Sequence, residues 1–487
     1  MKKLALAGGL LVSACTVGPN YNKPPSVASD AVARASFVRA KDDTFTPTPA
    51  VARWWETLSD PKLTELVDAA LAHSPNIDIA QARIRQARGA LSQQQAGQYP
   101  SVSASGTYLR ATLPGVGLAS GSSTAGSSSS LDFYNVGLNA SWEPDLFGGV
   151  RRSLEQSRAQ VEQRFADLAD AQVSLSAQVA QAYVNLRDTQ ERARLNAQSI
   201  ALQRRSLALT RQRFAAGAAS ALDVERLQNQ LSATDAQNTP LAAQTDEYLN
   251  QLAVLTGREP GALDQSLSSV TAVPLPPAQV AIGDPAMLIA HRPDIRSAER
   301  ALAASTAAIG ISKAKQLPGL KFMGILGLGG TSPGDIFDLG NLTTLVAPQL
   351  NWSFLDFGKN RAVVRQSEAQ RDEAEAQYRK AVLEALQDAE TSLSRFGNVR
   401  QQLAQLVRAE ASAGRAAQLN NQRLQGGTSS LIDQLDIERQ RLSAAISVAQ
   451  GKAQLTNSYI AVQKALGLGW SDPESPRARS AESGPPN

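Results

Sequence analysis

The stretch VEQRFADLADAQVSLSAQVAQAYVNL, residues 161–186, places Val161, Phe165, Leu168, Leu175, Val179, Ala182 and Leu186 at alternating spacings of four and three, with Gln172 in the one polar seam position. A seven-residue stride continues through Ala193, Ile200, Leu207 and Phe214. That period is coiled-coil packing. No proline occurs between Pro144 and Pro240, or between Pro348 and Pro473. A helix from about Val150 to Ala215 is on the order of 100 Å long at 1.5 Å per residue, beyond the reach of one compact domain. It ends at GAASALD, residues 217–223, and a second such ending, GTSSLID, occupies residues 427–433. Each offers a glycine for a left-handed stop and then a Ser-x-x-Asp box that starts a returning helix. Arg213 and Arg423 sit in the preceding last turns, where a cation suits the carbonyl end. Two antiparallel helical hairpins are expected.

The paired endings belong to a wider duplication. His73-Ser-Pro-Asn-Ile77 matches His291-Arg-Pro-Asp-Ile295, an offset of 291 − 73 = 218. Trp142 matches Trp352, Phe147-Gly148 matches Phe357-Gly358, and Gly217 and Asp223 match Gly427 and Asp433 at an offset of 210. The eight extra residues of the first copy fit the Gly/Ser-rich stretch 115–130, read as a surface loop. Both histidines precede X-Pro at a helix start and read as structural. Each copy also holds two strand-like segments. Tyr134, Val136, Leu138, Ala140 and Trp142 alternate with Asn135, Gly137, Asn139 and Ser141, and Val102, Ala104 and Tyr108 alternate with Ser103, Ser105 and Thr107. In the second copy Val346, Leu350, Trp352 and Phe354 alternate with Gln349, Asn351 and Ser353, while Leu320 to Gly330 is apolar on both faces. Period two with one apolar face fits a membrane barrel or a half-buried sheet alike.

Composition narrows the function. The 487 residues exceed the size of one growing core, aromatics are 5% and charged residues 19%, and the net charge of +4 is dispersed, so nucleic acid is not implied. One cysteine, Cys15, and two histidines exclude a disulfide framework and a Cys/His metal cluster, and no cofactor is expected. Gly327-Leu-Gly-Gly330 is followed by Pro333 and Gly334, not by a helix N-terminus, so it does not read as a phosphate cradle. Lys2-Lys3, the apolar run Leu4 to Val12 and Ser13-Ala14 form an export signal. Cys15 directly follows Val12-Ser13-Ala14, which resembles a lipobox, so acylation at Cys15 is expected. Thr16 in place of aspartate implies routing to the outer membrane. Beyond residue 15 no run of 18 apolar residues occurs.

Several separated motifs now agree in order: CTVGPNYNKPP at 15–25, Trp54-Trp55 with Asp60-Pro61 and Leu63, RPDIRSAE at 292–299, Ile309-Gly310, and both hairpin endings. From Met1 to about Leu468 the chain resembles the outer-membrane factor family, in the lipoprotein branch of TolC-like (NodT-like) efflux channels serving RND-type pumps. The resemblance implies a mixed α and β membrane protein, a homotrimer whose protomers each give four strands to one shared transmembrane β-barrel and their helices to a periplasmic coiled-coil barrel. Elementary physics agrees, since four strands cannot close a pore and an open edge in lipid strands backbone groups. The implied work is passive: an exit duct for drugs and toxic compounds, with a periplasmic adaptor protein and an inner-membrane transporter of the RND type as partners. No enzyme activity is implied. The nearest alternatives are a type I protein secretion channel and a lipid-anchored periplasmic coiled coil.

On this reading residues 1–14 are the signal, 15–61 a lipidated extended segment, 62–98 a helix, 99–147 a β-hairpin and 148–257 a long helical hairpin. A Pro-rich linker, 258–284, leads to a second helix over 285–316, β-hairpin over 317–357 and helical hairpin over 358–467, with a disordered tail at 468–487. Adaptor docking is expected at Gly217, Ala218, Ala219, Ser220, Gly427, Thr428, Ser429 and Ser430. Family members often close the tip with acidic residues, but residues 414–425 contain no Asp or Glu. Asn420, Asn421 and Arg423 are therefore the candidate gate. Pro240, whose repeat partner is Gln450, predicts a kink in the first returning helix and none in the second.

Overall fold

The computed structural model describes residues 16–40, 43–113 and 129–470. The expected signal, Cys15, most of the Gly/Ser-rich loop and the tail from residue 471 lie outside them. The chain opens with α1 (Ser29–Arg34), β1 (Phe45–Thr46), a 3-10 turn at Trp54–Leu58, α2 (Pro61–His73) and α3 (Pro75–Ala96). Strands β2 (Ser101–Leu113) and β3 (Ser129–Trp142) precede α4 (Gly149–Ala215), α5 (Ala221–Ala236), α6 (Asn238–Leu255), α7 (Asp264–Leu267) and β4 (Val280–Ala281). Then come α8 (Pro285–His291), α9 (Pro293–Ala314), β5 (Gly319–Gly330), β6 (Leu342–Asn351), α10 (Lys359–Gln425) and α11 (Leu431–Ala465). No helix among the described residues is long and apolar enough to cross a membrane.

The structure corrects several boundaries. The single helices expected over 62–98 and 285–316 are each two, broken before Pro75 and Pro293, because a residue preceding proline is pushed out of the helical region. Ser74 and Arg292 are extended there, with ψ of 131° and 124°. The segment 15–61 is not simply extended, since it carries α1, β1 and the 3-10 turn, and the linker 258–284 contains α7 and β4, the latter paired in parallel with β1. The first returning helix is interrupted at Gln237, three residues before Pro240, whereas α11 runs unbroken for 35 residues. Pro240 has no N–H to give to Ala236, so the helix restarts rather than continues.

Two compact units result. The first, Ile84–Gln163 and Ala298–Gln377 with the chain up to Pro25, contains an antiparallel sheet in the order β2-β3-β5-β6. Its register is unshifted throughout: Leu138 lies beside Ala104 on one side and Leu326 on the other, and Leu326 beside Thr344. Gly327 to Gly330 fall inside β5, so this glycine patch is strand.

The second unit, Ser26–Arg83, Arg164–Ser297 and residues from Tyr378 onward, holds the densest core. The expected seam is buried from Leu175 to Leu207 except at Ala193, which is half-buried, and Phe165 and Phe214 are exposed, 38% and 49%. Between Leu175 and Arg187 the buried residues surround α4 (Ser176, Ala177, Val179, Ala180, Tyr183 and Val184 among them), because this stretch packs on several sides rather than along one partner. An aromatic cluster lies here. Trp54 and Trp55 meet edge to face at 5.8 Å, Trp54 meets Tyr459 at 6.2 Å, and Phe396 links Tyr459 to Phe45. Tyr183 donates to Asp60 at 2.8 Å, and Glu390 accepts the backbone N–H groups of Val38 and Arg39. Arg292 is buried. Its guanidinium holds both Asp294 oxygens (2.9 and 2.7 Å) and donates to the Ala465 carbonyl at 2.8 Å, closing the last turn of α11.

Candidate functional site

Strand parity gives the sheet two unlike faces. Because the register is unshifted, Val102, Ala104, Tyr134, Val136, Leu138, Ala140, Phe322, Leu326, Val346 and Leu350 all share one face. Opposite them stand Ser103, Ser105, Asn135, Asn139, Lys321, Thr343 and Gln349, interspersed with Leu109, Phe133, Met323, Ile325 and Leu345, and Asn139 donates to Ser105 at 2.6 Å. The apolar face is uncovered within one chain: Val136 is 52% exposed, Leu138 47% and Val346 78%. Aromatics bound it. Tyr108 and Tyr134 lie 5.0 Å apart at one end, and Trp142 stacks on Phe322 at 6.1 Å at the other. The indoles of Trp142 and Trp352 donate to the carbonyls of Gln98 and Gln316, both at 3.1 Å. From Tyr134 to Trp142 the strand covers about 27 Å at 3.4 Å per residue, close to the apolar height of an outer-membrane barrel. β2 and β6 are the sheet's edges, with one side of each backbone unpaired in the described sheet.

The two hairpin tips share one geometry. Gly217 and Gly427 have φ of +72° and +73°, and Ala218 N–H reaches back to Arg213 as Thr428 N–H does to Arg423. Glycine alone enters that region without strain. Ser220 and Asp223, and likewise Ser430 and Asp433, form reciprocal capping boxes. Arg213 donates to the Ala218 carbonyl and Arg423 to that of Thr428. The hairpins pack side by side, with Leu195 and Leu202 of α4 against Leu442, Ala445, Ile446 and Ala449 of α11. Ala218 and Thr428 are exposed at the tips, while Ala219 and Ser429 are half-buried.

The candidate gate residues separate. Asn421 and Arg423 are exposed, but Asn420 turns inward, 7% exposed. It donates to Gln434 at 2.8 Å and accepts from Ser429 at 2.9 Å, while Gln434 donates to the Ala417 carbonyl. This clamp was not anticipated. The available signal was the mismatch at the repeat positions, where the first hairpin has Thr210, Ala219 and Val224 instead of Asn420, Ser429 and Gln434.

Hydrogen bonds from Ser220 and Ser430 hold the Asp223 and Asp433 carboxyls below the usual aspartate range, with Arg213 and Arg423 adding to the effect at Asp433. A depressed folded pKa contributes stability above the ordinary value of about 3.9 and loses it as pH falls through the depressed one. Amide protection at the tips, followed by hydrogen exchange corrected for intrinsic rate, is therefore expected to stay level from neutral pH to about 4 and to fall below it. Ser220→Ala is expected to cost about 0.5 to 2 kcal/mol of local helix stability, read as faster exchange at residues 221–224 with no change at residues 431–434.

Residues 66–258 and 285–468 match the family model described as outer membrane efflux protein. Nodulation protein T of Rhizobium leguminosarum bv. trifolii is 29% identical over 95% of this chain and 96% of its own length. Outer membrane protein OprJ of Pseudomonas aeruginosa is 29% identical over 96% of each. The solved structure of the outer-membrane channel OprN superposes with a TM-score of 0.83 at 33% identity, covering 94% of this chain and all of that one. With a four-stranded sheet that carries an uncovered apolar face, two long helical hairpins and a match over both halves of its length, the chain belongs to the outer membrane efflux protein family.

Proposed function

We propose that the protein is the outer-membrane exit duct of a tripartite efflux pump and conducts small molecules passively from periplasm to exterior. The observation that carries this reading is the uncovered apolar face that runs across four strands between Tyr134 and Trp142, bounded by aromatics at both ends, while the hydrogen-bonding side chains Asn135, Asn139 and Ser105 stand on the other face. In water such a patch is a liability, whereas in a bilayer it is the lipid-facing wall. Edge strands β2 and β6 supply the complementary backbone for neighbouring copies, so three chains in cyclic symmetry form a closed twelve-stranded barrel with no open edge. A periplasmic coiled coil alone would leave this face without a solvent. Acylation at Cys15 adds a second hold on the outer membrane.

The hairpin tips are the docking end in this reading. Two similar tips per chain give six ends in a trimer, which suits a sixfold adaptor, and an RND-type inner-membrane transporter drives the flow. Ala218→Glu and Thr428→Glu change the exposed tip surface while leaving the serine caps intact, and both are expected to weaken adaptor binding and drug export. Full binding and undiminished resistance in both variants would remove the docking assignment. Asn421 and Arg423 are the gate side chains, with Asn420 acting through the hairpin clamp. Purified protein in planar bilayers is expected to show a low resting conductance that rises in Arg423→Ala. A wild-type preparation without conductance would refute the duct, and an unchanged Arg423→Ala the gate.

A further inference from the structure

Arg152, at the start of α4, is 3% exposed. Its Nε donates to the Val17 carbonyl at 3.1 Å, and Nη2 donates to the Gly18 carbonyl at 3.1 Å and to Asn20 Oδ1 at 2.6 Å, while Nη1 pairs with Glu155 at 2.7 Å. A buried cation thus directs most of its donors at the N-terminal segment. Without that segment they would be left desolvated and unmet, an unfavourable state for a charged group.

The surrounding backbone is fitted to the same segment. Val17 N–H donates to the Phe147 carbonyl at 3.1 Å. Gly18 has φ of +95°, and a Cβ there would stand 2.5 Å from the Gly310 Cα; a Cβ on Gly310 would meet Arg152 Cγ at 2.7 Å, and one on Gly148 the Thr16 Cα at 2.8 Å. Three glycines let the chain approach where any side chain would hold it off. Further along, Tyr21 donates to Glu299 at 2.9 Å, packs on Ala159, Ala303 and Ala304, and lies under the Arg300 guanidinium.

This receptacle sits at the junction of β3 and α4, five residues beyond Trp142 of the aromatic boundary. Cys15 immediately precedes Thr16 in the chain. We propose that Arg152 is a positioning residue for the lipid anchor: it latches Thr16–Asn20 so that acyl chains on Cys15 enter the bilayer at the helix-side edge of the apolar band. The proposal rests on the reading that Cys15 is acylated and the sheet spans the membrane.

The test uses the full chain in its own outer membranes, with a diazirine fatty acid supplied metabolically and cross-linked peptides mapped by mass spectrometry. Wild-type cross-links are expected in peptides bearing Trp142 to Phe147, Phe322 or Trp352. In Arg152→Ala they should fall about tenfold and scatter, and hydrogen exchange at residues 16–22 should accelerate about tenfold while the tips at 213–223 stay unchanged. Asn20→Ala, which removes a single acceptor, is expected to shift both readouts in the same direction and covers the case in which the arginine variant does not fold. Unchanged exchange at residues 16–22 in both variants overturns the latch. A released segment with an unaltered cross-link map overturns the positioning role, and a wild-type Cys15 without acyl mass overturns the proposal at its premise, with conductance still reporting separately on the duct.

Discussion

Leu138→Arg is expected to prevent stable assembly, whereas Asn139→Arg one residue away is expected to assemble and change conductance. Leu138 is flanked in register by Ala104 and Leu326, midway along the apolar face between Tyr134 and Trp142. In the proposed barrel an arginine near the bilayer midplane would cost roughly 2 to 4 kcal/mol, and a symmetric trimer would incur it three times. Asn139 points to the other face, beside Ser103 and Ile325, and bonds Ser105. A cation there would face the water-filled lumen of the proposed barrel and act on passing ions. Trimer yield on semi-native gels after membrane extraction separates the two, followed by single-channel recording of Asn139→Arg. Equal tolerance at both positions would show that the strand faces, or the barrel, have been misassigned.

Arg292→Ala is expected to destabilise the second unit by about 1 to 3 kcal/mol, because the buried Ala465 carbonyl loses its charged donor while Asp294, about a third exposed, turns to solvent. Burial works against the Arg292 cation, but Asp294 and Asp388 more than offset it and raise its pKa, so it stays charged at every accessible pH. Its loss leaves Asp294 without its bidentate partner and the Ala465 carbonyl at the end of α11 without its donor. Gly467, at φ +73°, sits so close that a Cβ would come within 2.6 Å of Arg292 Cγ, so little can move in to fill the gap. The exposed pair Arg439–Asp436 provides the contrast, since breaking it is expected to cost within about 1 kcal/mol. Thermal unfolding of the detergent-solubilised protein, with both variants in parallel, measures the difference. A shift for Arg292→Ala no larger than for Arg439→Ala would remove Arg292 from the set of structural supports.

Local features were legible in the sequence because their causes lie within a few residues. The caps at Ser220 and Ser430, the left-handed stops at Gly217 and Gly427 and the restart near Pro240 each depend on neighbours in the chain, and so does strand alternation, whose period is set by the backbone itself. Boundaries at Ser74 and Arg292 have the same kind of signal in Pro75 and Pro293, embedded in a longer helical pattern that continues on either side. Leu320 to Gly330 could not be assigned a face, because only pairing with β3 and β6 puts Phe322 and Leu326 with Leu138 and leaves Lys321 with Asn139 and Ser141.

By itself, then, the sequence determined the long elements and those ends that carry a local signal, from the hairpin tips to the period-two strands and the uninterrupted helices. Only the tertiary structure decided the roles that depend on residues far apart in the chain. It paired β3 with β5 across the whole first helical hairpin, and turned Asn420 inward to Gln434 while leaving Asn421 and Arg423 outside. It also gave Arg152, which in the sequence was one of two adjacent arginines, a set of acceptors more than 130 residues away. The physical reason is the same in each case: a buried polar group or an apolar face acquires its meaning from what desolvates it, and that partner is brought by the fold rather than by the neighbouring residues.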